Sequence, residues 1–527
     1  MDYSNRTPGF TFTPLTIALS VIIGLVVGFG SLIFHITIQV MTDVFLGSTR
    51  YAPPNLTKEL TLIHLNTSLM LLGPLSDYLI ILLPALGGLL SGILTYKLSP
   101  ETEGAGTDMV IKMFHWERGY IRKRVAPIKI ISSSILIGTG GSAGKQGPIA
   151  QIGAGLASII ATKLRLSDRE RKLLVVAGMA AGVGSIFKSP FGGSIFGIEV
   201  LYKRDYEVQA LIPAVIATFT AYMVFSTFVG WDPIFDTPKY SFTPTELPFF
   251  AILGLLAGVV ARIYVKTFYQ IKDLFRKLRI PNYLKPALGG LLTGIIGFFI
   301  PQVLHTGYGW LQLAIWGKLT LELMVIIIIA KILATSFSVG SGGSGGVFAP
   351  SVVIGGFLGG AFGALLSFLV PNLIPSVGVF VLVGMGCFFA AAAKVPLASI
   401  IMMAEMTGDY NLLPPAFLAS VVAYIVSGEV SIYSEQLEMR FGSPFHEREV
   451  LIGLLSSIKV KNKMREEVVP VDEDITLEEL KRILTEQNKL GIPVRSKEGK
   501  YIGIVTINDI LSVPVDDWKR KKVKDIP

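Results

Sequence analysis

Two stretches of the chain have closely related sequences. Residues 129–153 read KIISSSILIGTGGSAGKQGPIAQIG and residues 331–355 read KILATSFSVGSGGSGGVFAPSVVIG, with eleven identical positions out of 25. Each stretch has an apolar segment, a break rich in glycine and serine, and a proline that opens a second apolar segment. Matches continue at an offset of 206 residues, which pairs Lys188 with Lys394, Pro190 with Pro396 and Glu199 with Glu405. The chain therefore contains two halves, each of about 200 residues, with one plan.

The two prolines mark the starts of helices. Proline fits the first turn of a helix, which places helix N-termini at Pro148 and Pro350, directly after the glycine-rich breaks. The first N–H groups of a helix have no partner within it, and the terminus carries about half an elementary positive charge. Two such termini that converge within a membrane would form an anion site, as in transporters built from inverted repeats. Close helix packing is the alternative reason for such glycines.

The composition indicates that one part of the chain lies in lipid and another in water. Of the 527 residues, 51% are hydrophobic and 16% are charged, with a mean hydropathy of +0.60. Residues 451–527 hold 28 of the charged side chains, whereas the first 450 residues hold only 57. Many apolar segments are shorter than the roughly 20 residues that cross a bilayer, or contain glycine or proline. We therefore expect an all-α polytopic membrane protein of tilted and broken helices, followed by a water-exposed tail.

Loop charges predict how the chain lies in a cell membrane. Basic residues concentrate in three loops, at 163–172, 203–204 and 262–285, whereas 48–76 and 230–246 carry few. Lysine and arginine favour the cytoplasmic side, so we expect a multi-pass protein with both termini in the cytoplasm. The same placement accounts for the net charge of +9 without a nucleic-acid partner.

Several classes of chemistry find no support in the sequence. Cys387 is the single cysteine, which excludes an intramolecular disulfide, and the five histidines show no metal-ligand spacing. The glycine loop lacks the residues of a phosphate-binding P-loop, because Thr139 and Gln146 stand at two required positions. We therefore expect no metal, no required cofactor and no enzyme activity.

Three motifs together resemble the CLC family of chloride channels and proton-coupled chloride exchangers. They are GGSAGKQGP at 140–148, GGVFAP at 345–350 and EGAGTD at 103–108. The resemblance runs over about residues 14–442. It implies a transmembrane domain at 1–443 with inverted halves at about 14–230 and 247–442. It also implies a homodimer with one anion pathway in each subunit.

The resemblance also implies a set of site residues. The backbone N–H groups of Val347 and Phe348 correspond to those that hold the central anion, and the Tyr433 hydroxyl corresponds to a donor to the same ion. Lys145 would raise the local anion concentration at the entrance, or be a lysine that extends to the membrane surface. The predicted anion-binding residues are Ala105, Gly106, Gly144, Lys145, Gln146, Gly147, Gly346, Val347, Phe348, Ala349 and Tyr433.

Three positions depart from the family pattern. Ala105 stands where the family usually has serine, so a side-chain donor is missing there, and the nearby Thr107 is the candidate to replace it. Gln146 occupies the position of the gating glutamate, and an amide has neither its charge nor its titration near neutrality. Val200 occupies the position of the exchangers' internal proton-transfer glutamate, with Glu199 one residue earlier. We expect Glu199 and its counterpart Glu405 to have a shared structural role, paired with a loop base.

Three functions follow from this pattern. The leading one is passive anion conduction without proton coupling, because both proton-transfer positions lack a carboxylate. The alternative is a proton-coupled chloride exchanger that uses a substitute acid such as Glu199. The third is a nucleotide sensor anchored by the membrane part, which would not need duplicated anion loops.

The tail resembles a cystathionine-β-synthase-type (CBS) regulatory repeat. The matching segments are Gly491–Val494 and Gly503–Thr506, with Asp509 as the acid on the ligand side. A helix is predicted over Thr476–Gln487 from its spacing of leucine and isoleucine. We place a linker at 444–459 and a small α/β domain at 460–527, with one complete repeat and, at 523–527, a segment that resembles the opening of a second. The resemblance implies an adenine nucleotide as a ligand, with a purely structural cap as the alternative.

Overall fold

The computed structural model describes residues 14–47, 49, 54, 76–371, 376–446, 459–464 and 468–526. It divides into two compact units, Met1–Glu447 and Arg448–Pro527. The first unit contains both repeats, and the second contains the CBS-type segment. Most of the predicted linker at 444–459 lies outside the described residues.

The first unit is helical, and its two halves repeat the same order of helices. In the first half the helices are α1 Pro14–Phe45, α2 Ser76–Leu98, α3 Thr107–His115, α4 Val125–Gly138, α5 Gln146–Lys163, α6 Asp168–Ile186, α7 Pro190–Glu199 and α8 Leu211–Val229. In the second half they are α9 Leu247–Lys277, α10 Lys285–Phe299, α11 Tyr308–Ile315, α12 Leu321–Gly340, α13 Phe348–Leu369, α14 Val377–Ala393, α15 Pro396–Thr407 and α16 Leu413–Ser427.

Helix lengths agree with a membrane protein of broken helices. Among the described residues, 6 helices are long and apolar enough to cross a bilayer: Pro14–Phe45, Tyr78–Leu98, Val208–Val229, Pro244–Lys277, Leu321–Gly340 and Phe348–Leu369. Val125–Gly138, Val377–Ala393, Pro396–Thr407 and Leu413–Ser427 are apolar but shorter. Short helices expose their backbone ends at membrane depth, which is tolerated only where protein or a wet cavity surrounds them.

The helix after each glycine loop packs against the next helix through a matched pair of glycines. A Cβ on Gly178 would lie 2.4 Å from the carbonyl oxygen of Gly153, so α5 and α6 are in backbone contact there. In the second half, a Cβ on Gly384 would lie 2.3 Å from the Gly355 oxygen, between α13 and α14. The same close approach in both halves shows that the sequence repeat is also a structural repeat.

The second unit is a three-stranded sheet with helices. Strand β1 (Val471–Asp472) pairs in parallel with β2 (Gly491–Arg495), which pairs antiparallel with β3 (Tyr501–Thr506). Helix α17 (Leu477–Glu486) covers the sheet, and Thr476 caps it by accepting from the Glu479 N–H. Helix α18 (Ile507–Leu511) follows β3. The predicted helix and both predicted strands of the tail are confirmed.

Candidate functional site

The two glycine loops, one from each half, lie in direct contact. The Gly144 N–H donates to the Gly346 carbonyl oxygen over 2.7 Å, and the Gly346 N–H donates to the Gly144 oxygen over 2.9 Å. Together they form an isolated antiparallel bridge between segments about 200 residues apart. Such reciprocal bonds are what a local two-fold relation between the halves produces. The meeting of the loops that the anion site requires is therefore present.

A third loop, 104–106, joins these two. The Gly345 N–H donates to the Gly104 oxygen over 3.2 Å. A Cβ on Gly147 would lie 1.7 Å from the Ala105 oxygen, and one on Gly106 would lie 2.5 Å from the Gly147 oxygen. Gly106 also has a φ of +83°, which disfavours other residues. All three motifs thus come together through backbone contacts that leave no room for side chains.

Serine and threonine hydroxyls connect each loop to the other half. Ser142 of the first loop bonds to Thr335 on α12 over 2.9 Å. Its equivalent, Ser344, bonds to Ser133 on α4, also over 2.9 Å. These polar contacts are buried. Each loop is therefore positioned by the helix that precedes its counterpart.

Three helices begin at the junction of these loops. Helix α3 begins at Thr107, α5 at Gln146 and α13 at Phe348. Because the first N–H groups of a helix lack partners within it, this junction is rich in potential donors. The converging helix ends provide the partial positive charge that a dehydrated anion needs.

Two side chains at these helix starts are fully buried, and one of them, Gln146, has no hydrogen-bond partner. Gln146 is 0% exposed, and neither its Nε2 nor its Oε1 atom has a partner. Thr107 is also 0% exposed, and its hydroxyl interacts with that of Tyr433. An unpaired buried polar group carries a free-energy cost, so the Gln146 amide is available to a ligand at this junction.

The remaining predicted residues surround the junction. Val347 precedes α13, and the Phe348 ring packs between Phe187 and Phe389 at centroid distances of 4.9 and 4.5 Å. A Cβ on Gly144 would lie 2.8 Å from the Ala349 Cβ. Lys145 is buried just before α5, and Tyr433 lies beside Thr107 at the start of α3.

Two buried lysines support the loops, and the sequence reasoning assigned them no role. Lys129 Nζ donates to the carbonyl oxygens of Thr102 and Gly104, both over 2.9 Å. Its equivalent Lys331 donates to Val303 over 2.8 Å and to His305 over 2.9 Å. Both side chains are 0% exposed. The sequence did contain a sign of this shared role, because Lys129 and Lys331 are the first residues of the two repeated stretches.

Val200 and Glu199 form their hydrogen bonds with residues outside the anion loops. The buried Val200 contributes its carbonyl oxygen to a hydrogen bond from Gln436 Nε2 over 2.9 Å. The Glu199 carboxylate accepts from the backbone N–H groups of Leu397 over 3.1 Å and Ala398 over 2.7 Å. These N–H groups belong to the first turn of α15. Glu199 therefore caps a helix of the other half.

Glu405 repeats this arrangement in the opposite direction. Its carboxylate accepts from the N–H groups of Phe191 over 3.1 Å and Gly192 over 2.8 Å, in the first turn of α7, and from the Ser189 hydroxyl. The two acids share a structural role, as expected. The prediction that each is paired with a basic loop residue is wrong. Free N–H groups at a helix start, with their partial positive charge, supply the donors instead.

The second unit contains one strongly paired acid and one capping acid. Lys497, Lys524 and Lys522 hold the pKa of the Asp474 carboxyl well below its usual range. Asp509, the predicted ligand-side acid, accepts from the Thr506 N–H and hydroxyl at the start of α18, both over 2.7 Å. The Thr506 contacts also lower the pKa of Asp509. Asp509 thus positions the end of β3 in this structure.

The fold and the loop junction define a class of protein. A membrane unit of two related halves, with helix starts from both halves meeting around a buried and unpaired amide, is the architecture of an anion transport protein. The chain matches the family model described as voltage gated chloride channel over residues 87–428, and the CBS domain model over residues 456–516. It belongs to the voltage gated chloride channel (CLC) family and carries a C-terminal CBS domain.

Individual relatives support this assignment. The putative chloride channel protein ClcB-like of Ralstonia nicotianae is 30% identical over 366 residues, which cover 68% of this chain and 85% of the relative. The H(+)/Cl(-) exchange transporter ClcA of Salmonella paratyphi A is 28% identical over 424 residues, which cover 79% of this chain and 86% of the relative.

Solved structures share the fold. A slow cyanobacterial Cl−/H+ antiporter matches with a TM-score of 0.71 at 22% identity, and the match covers 85% of this chain and 99% of the other. A CLC-type fluoride/proton antiporter matches with a TM-score of 0.66 at 22% identity, and the match covers 80% of this chain and 98% of the other.

Proposed function

We propose that the chain moves chloride or a similar small anion across a cell membrane, through one pathway in each subunit of a homodimer. The observation that carries this proposal is the buried Gln146 amide, which has no protein partner and stands at the start of α5 where the glycine loops meet. A pathway of this kind needs no cofactor and involves no covalent chemistry. The predicted residues of the three loops support the proposal, because their backbones are in contact at one junction.

We further propose that anion movement is not coupled to protons. Gln146 and Val200 stand where exchangers of the family have carboxylates, and neither side chain can exchange a proton near neutrality. The neighbouring acid, Glu199, accepts hydrogen bonds from the start of α15. A carboxylate that caps a helix of the other half has a structural role of its own, which does not require it to carry protons.

The second candidate is a proton-coupled chloride exchanger with Glu199 as a substitute acid. The comparisons favour this candidate, because the named relatives include H(+)/Cl(-) exchange transporters and the similar structures include Cl−/H+ and fluoride/proton antiporters. Purified protein in liposomes separates the two. Uncoupled transport predicts a reversal potential that follows the chloride gradient alone, whereas proton uptake driven by chloride would establish the exchanger.

Replacing Gln146 by glutamate tests the assignment of this residue. A carboxylate at the start of α5 would be attracted to the positive helix end and would compete with the transported anion. We expect Gln146→Glu to slow chloride efflux from liposomes about tenfold at pH 7, equivalent to about 1.4 kcal/mol, with recovery as the carboxyl becomes protonated at lower pH. Gln146→Ala is the matched control, and its flux should not depend on pH. A Gln146→Glu flux equal to wild type at every pH would contradict the assignment.

We also propose a cytoplasmic location for both termini and an adenine nucleotide as a ligand of the CBS domain. The basic loops support the orientation, and the strands that match the CBS repeat support the ligand. Equilibrium binding of ATP to the full chain, measured with Asp509→Ala as a comparison, tests the nucleotide. Absence of binding to wild type would leave the domain as a structural cap.

A further inference from the structure

A polar cavity of about 340 Å³ lies beside the end of helix α12. Its walls come from α2, α9, α10 and α12 and from the turn that leads to the 104–106 loop. The side chains that line it include Tyr96, Glu103, Lys272, Arg276, Lys285 and Ser341. A cavity that is both polar and roomy is suited to water or to a small polar ligand rather than to an apolar one.

Basic side chains dominate the charge of this cavity. Lys272 and Arg276 lie near the end of α9, and Lys285 is the buried first residue of α10. All three belong to the basic segment 262–285, which contains seven Lys or Arg residues and one acid, Asp273. Asp273 contacts the Arg276 guanidinium over 3.4 Å, but both side chains are mostly exposed, so this pair is weak. The segment therefore retains a large positive charge.

The acids near the cavity have other partners. Glu103, the acid among its lining residues, interacts with the buried ammonium group of Lys129. Asp108 and Glu435 both interact with Lys272, but they stand outside the lining. The charge of Lys272 is thus partly offset, whereas the cations at the end of α9 and the start of α10 give the cavity an excess of positive charge that attracts an anion.

The cavity adjoins two of the three loops of the anion junction. Ser341 lies between α12 and the second glycine loop, and a Cβ on Gly342 of that loop would lie 2.3 Å from the Tyr96 hydroxyl oxygen. Glu103 directly precedes the 104–106 loop. A ligand in the cavity would therefore lie beside the starts of both loops. If that ligand is negative, it raises the energy of an anion at the junction by charge repulsion.

We propose that this cavity binds a phosphate-bearing anion, either a free phosphate or a lipid headgroup, and that the bound anion slows chloride transport. The planar Arg276 guanidinium offers several N–H donors that match phosphate oxygens, and the two lysines add positive charge. A phosphate uses several such donors at once, which a chloride ion does not. Basic residues beside a membrane also attract anionic headgroups. The effect on transport rests on the proposed function, whereas the binding does not.

Titration of inorganic phosphate into the purified full-length protein measures the binding directly. We expect Arg276→Gln to weaken phosphate binding about tenfold, as for the loss of hydrogen bonds to a charged group. The Arg276 side chain is mostly exposed, so this change should leave the fold intact. Arg279→Gln is the matched control, because it removes the same charge from the same segment at an exposed residue outside the cavity lining. It should retain the wild-type phosphate affinity.

Chloride efflux from liposomes separates the two sources of phosphate. In phosphatidylcholine vesicles, inorganic phosphate on both sides should slow efflux if the ligand is soluble. Added phosphatidic acid should slow efflux if the ligand is a lipid headgroup, and the same content of phosphatidylserine controls for surface charge. In either case the inhibition should be lost in Arg276→Gln and kept in Arg279→Gln.

Two results would overturn the proposal. One is a wild-type protein that neither binds inorganic phosphate nor responds to phosphatidic acid. The other is equal phosphate affinity and equal inhibition in wild type, Arg276→Gln and Arg279→Gln, since the ligand would then bind elsewhere. Failure of the proposed function is a different result: wild type would show no chloride efflux in any vesicle, while phosphate binding in the titration would still depend on Arg276.

Discussion

The first glycine loop, at 140–148, and the second, at 342–350, have the same framework and different contents. Both contain the glycines that bridge the halves, a serine bonded to the opposite half, and a proline in the first turn of the following helix. Between these shared positions, the first loop has Lys145 and Gln146, whereas the second has Val347 and Phe348. One half thus presents polar side chains at the junction, and the other presents backbone N–H groups next to apolar side chains.

The two halves also share a framework and differ in content around the buried lysines of α4 and α12. Lys129 and Lys331 support equivalent turns, each followed by a glycine with positive φ. The residue that begins the next helix then differs, with Thr107 on α3 and Tyr308 on α11. Residues repeated in both halves build the scaffold, because the two-fold contacts need them twice. Residues that occur once are the ones available for anion recognition.

The largest effect is expected where the halves differ by a single methyl group. Gly147 corresponds to Ala349, yet a Cβ on Gly147 would lie 1.7 Å from the Ala105 carbonyl oxygen. Backbone must then move, so Gly147→Ala should abolish chloride flux and lower stability by about 3 kcal/mol or more. Thermal unfolding in detergent and efflux from liposomes measure both.

Gly155 on the same helix is the matched control. A Cβ there meets its nearest atom at 3.5 Å, an ordinary contact, so Gly155→Ala should resemble wild type. If Gly147→Ala conducted chloride normally, the 104–106 loop would have to be free to withdraw from α5, and the close junction would not be needed for transport.

A smaller effect, on chloride affinity, should distinguish the two buried lysines, Lys129 and Lys331. Lys129→Met and Lys331→Met each leave two buried carbonyl oxygens without a donor, which we expect to cost about 3 kcal/mol in either half. Only Lys129 supports the loop that leads to Thr107. Chloride affinity should therefore fall several-fold in Lys129→Met and stay near wild type in Lys331→Met. Equal losses of affinity would mean that the two loops contribute alike to the anion site.

Much of the framework could be predicted from the sequence, because repetition and close packing leave direct traces. A glycine repeated at 144 and 346 is required where two backbones touch, and a proline repeated at 148 and 350 is required where helices begin. The strands of the tail were also predictable, since their apolar alternation and turns are local. In each case the physical constraint acts on a few neighbouring residues.

The partners of the polar side chains could not be predicted in this way. Lys129 bonds to carbonyl oxygens 25 and 27 residues earlier, in a loop without a pattern that marks acceptors. Glu199 binds N–H groups 198 and 199 residues later. The offset of 206 residues showed that Glu199 and Glu405 are equivalent, but equivalence does not specify contact. Only the fold shows that each acid reaches the helix that contains the other.

That reciprocal arrangement gives the smallest and most discriminating prediction. If Glu199 and Glu405 both act as helix caps, Glu199→Ala and Glu405→Ala should each lower stability by about 1–2 kcal/mol, as for the loss of other caps. The costs should be similar, because each acid accepts from two N–H groups and one hydroxyl. Proton movement in liposomes should be unaffected by either change. A Glu199→Ala variant that loses chloride-driven proton uptake, while Glu405→Ala keeps it, would break the equivalence and assign Glu199 to proton transfer.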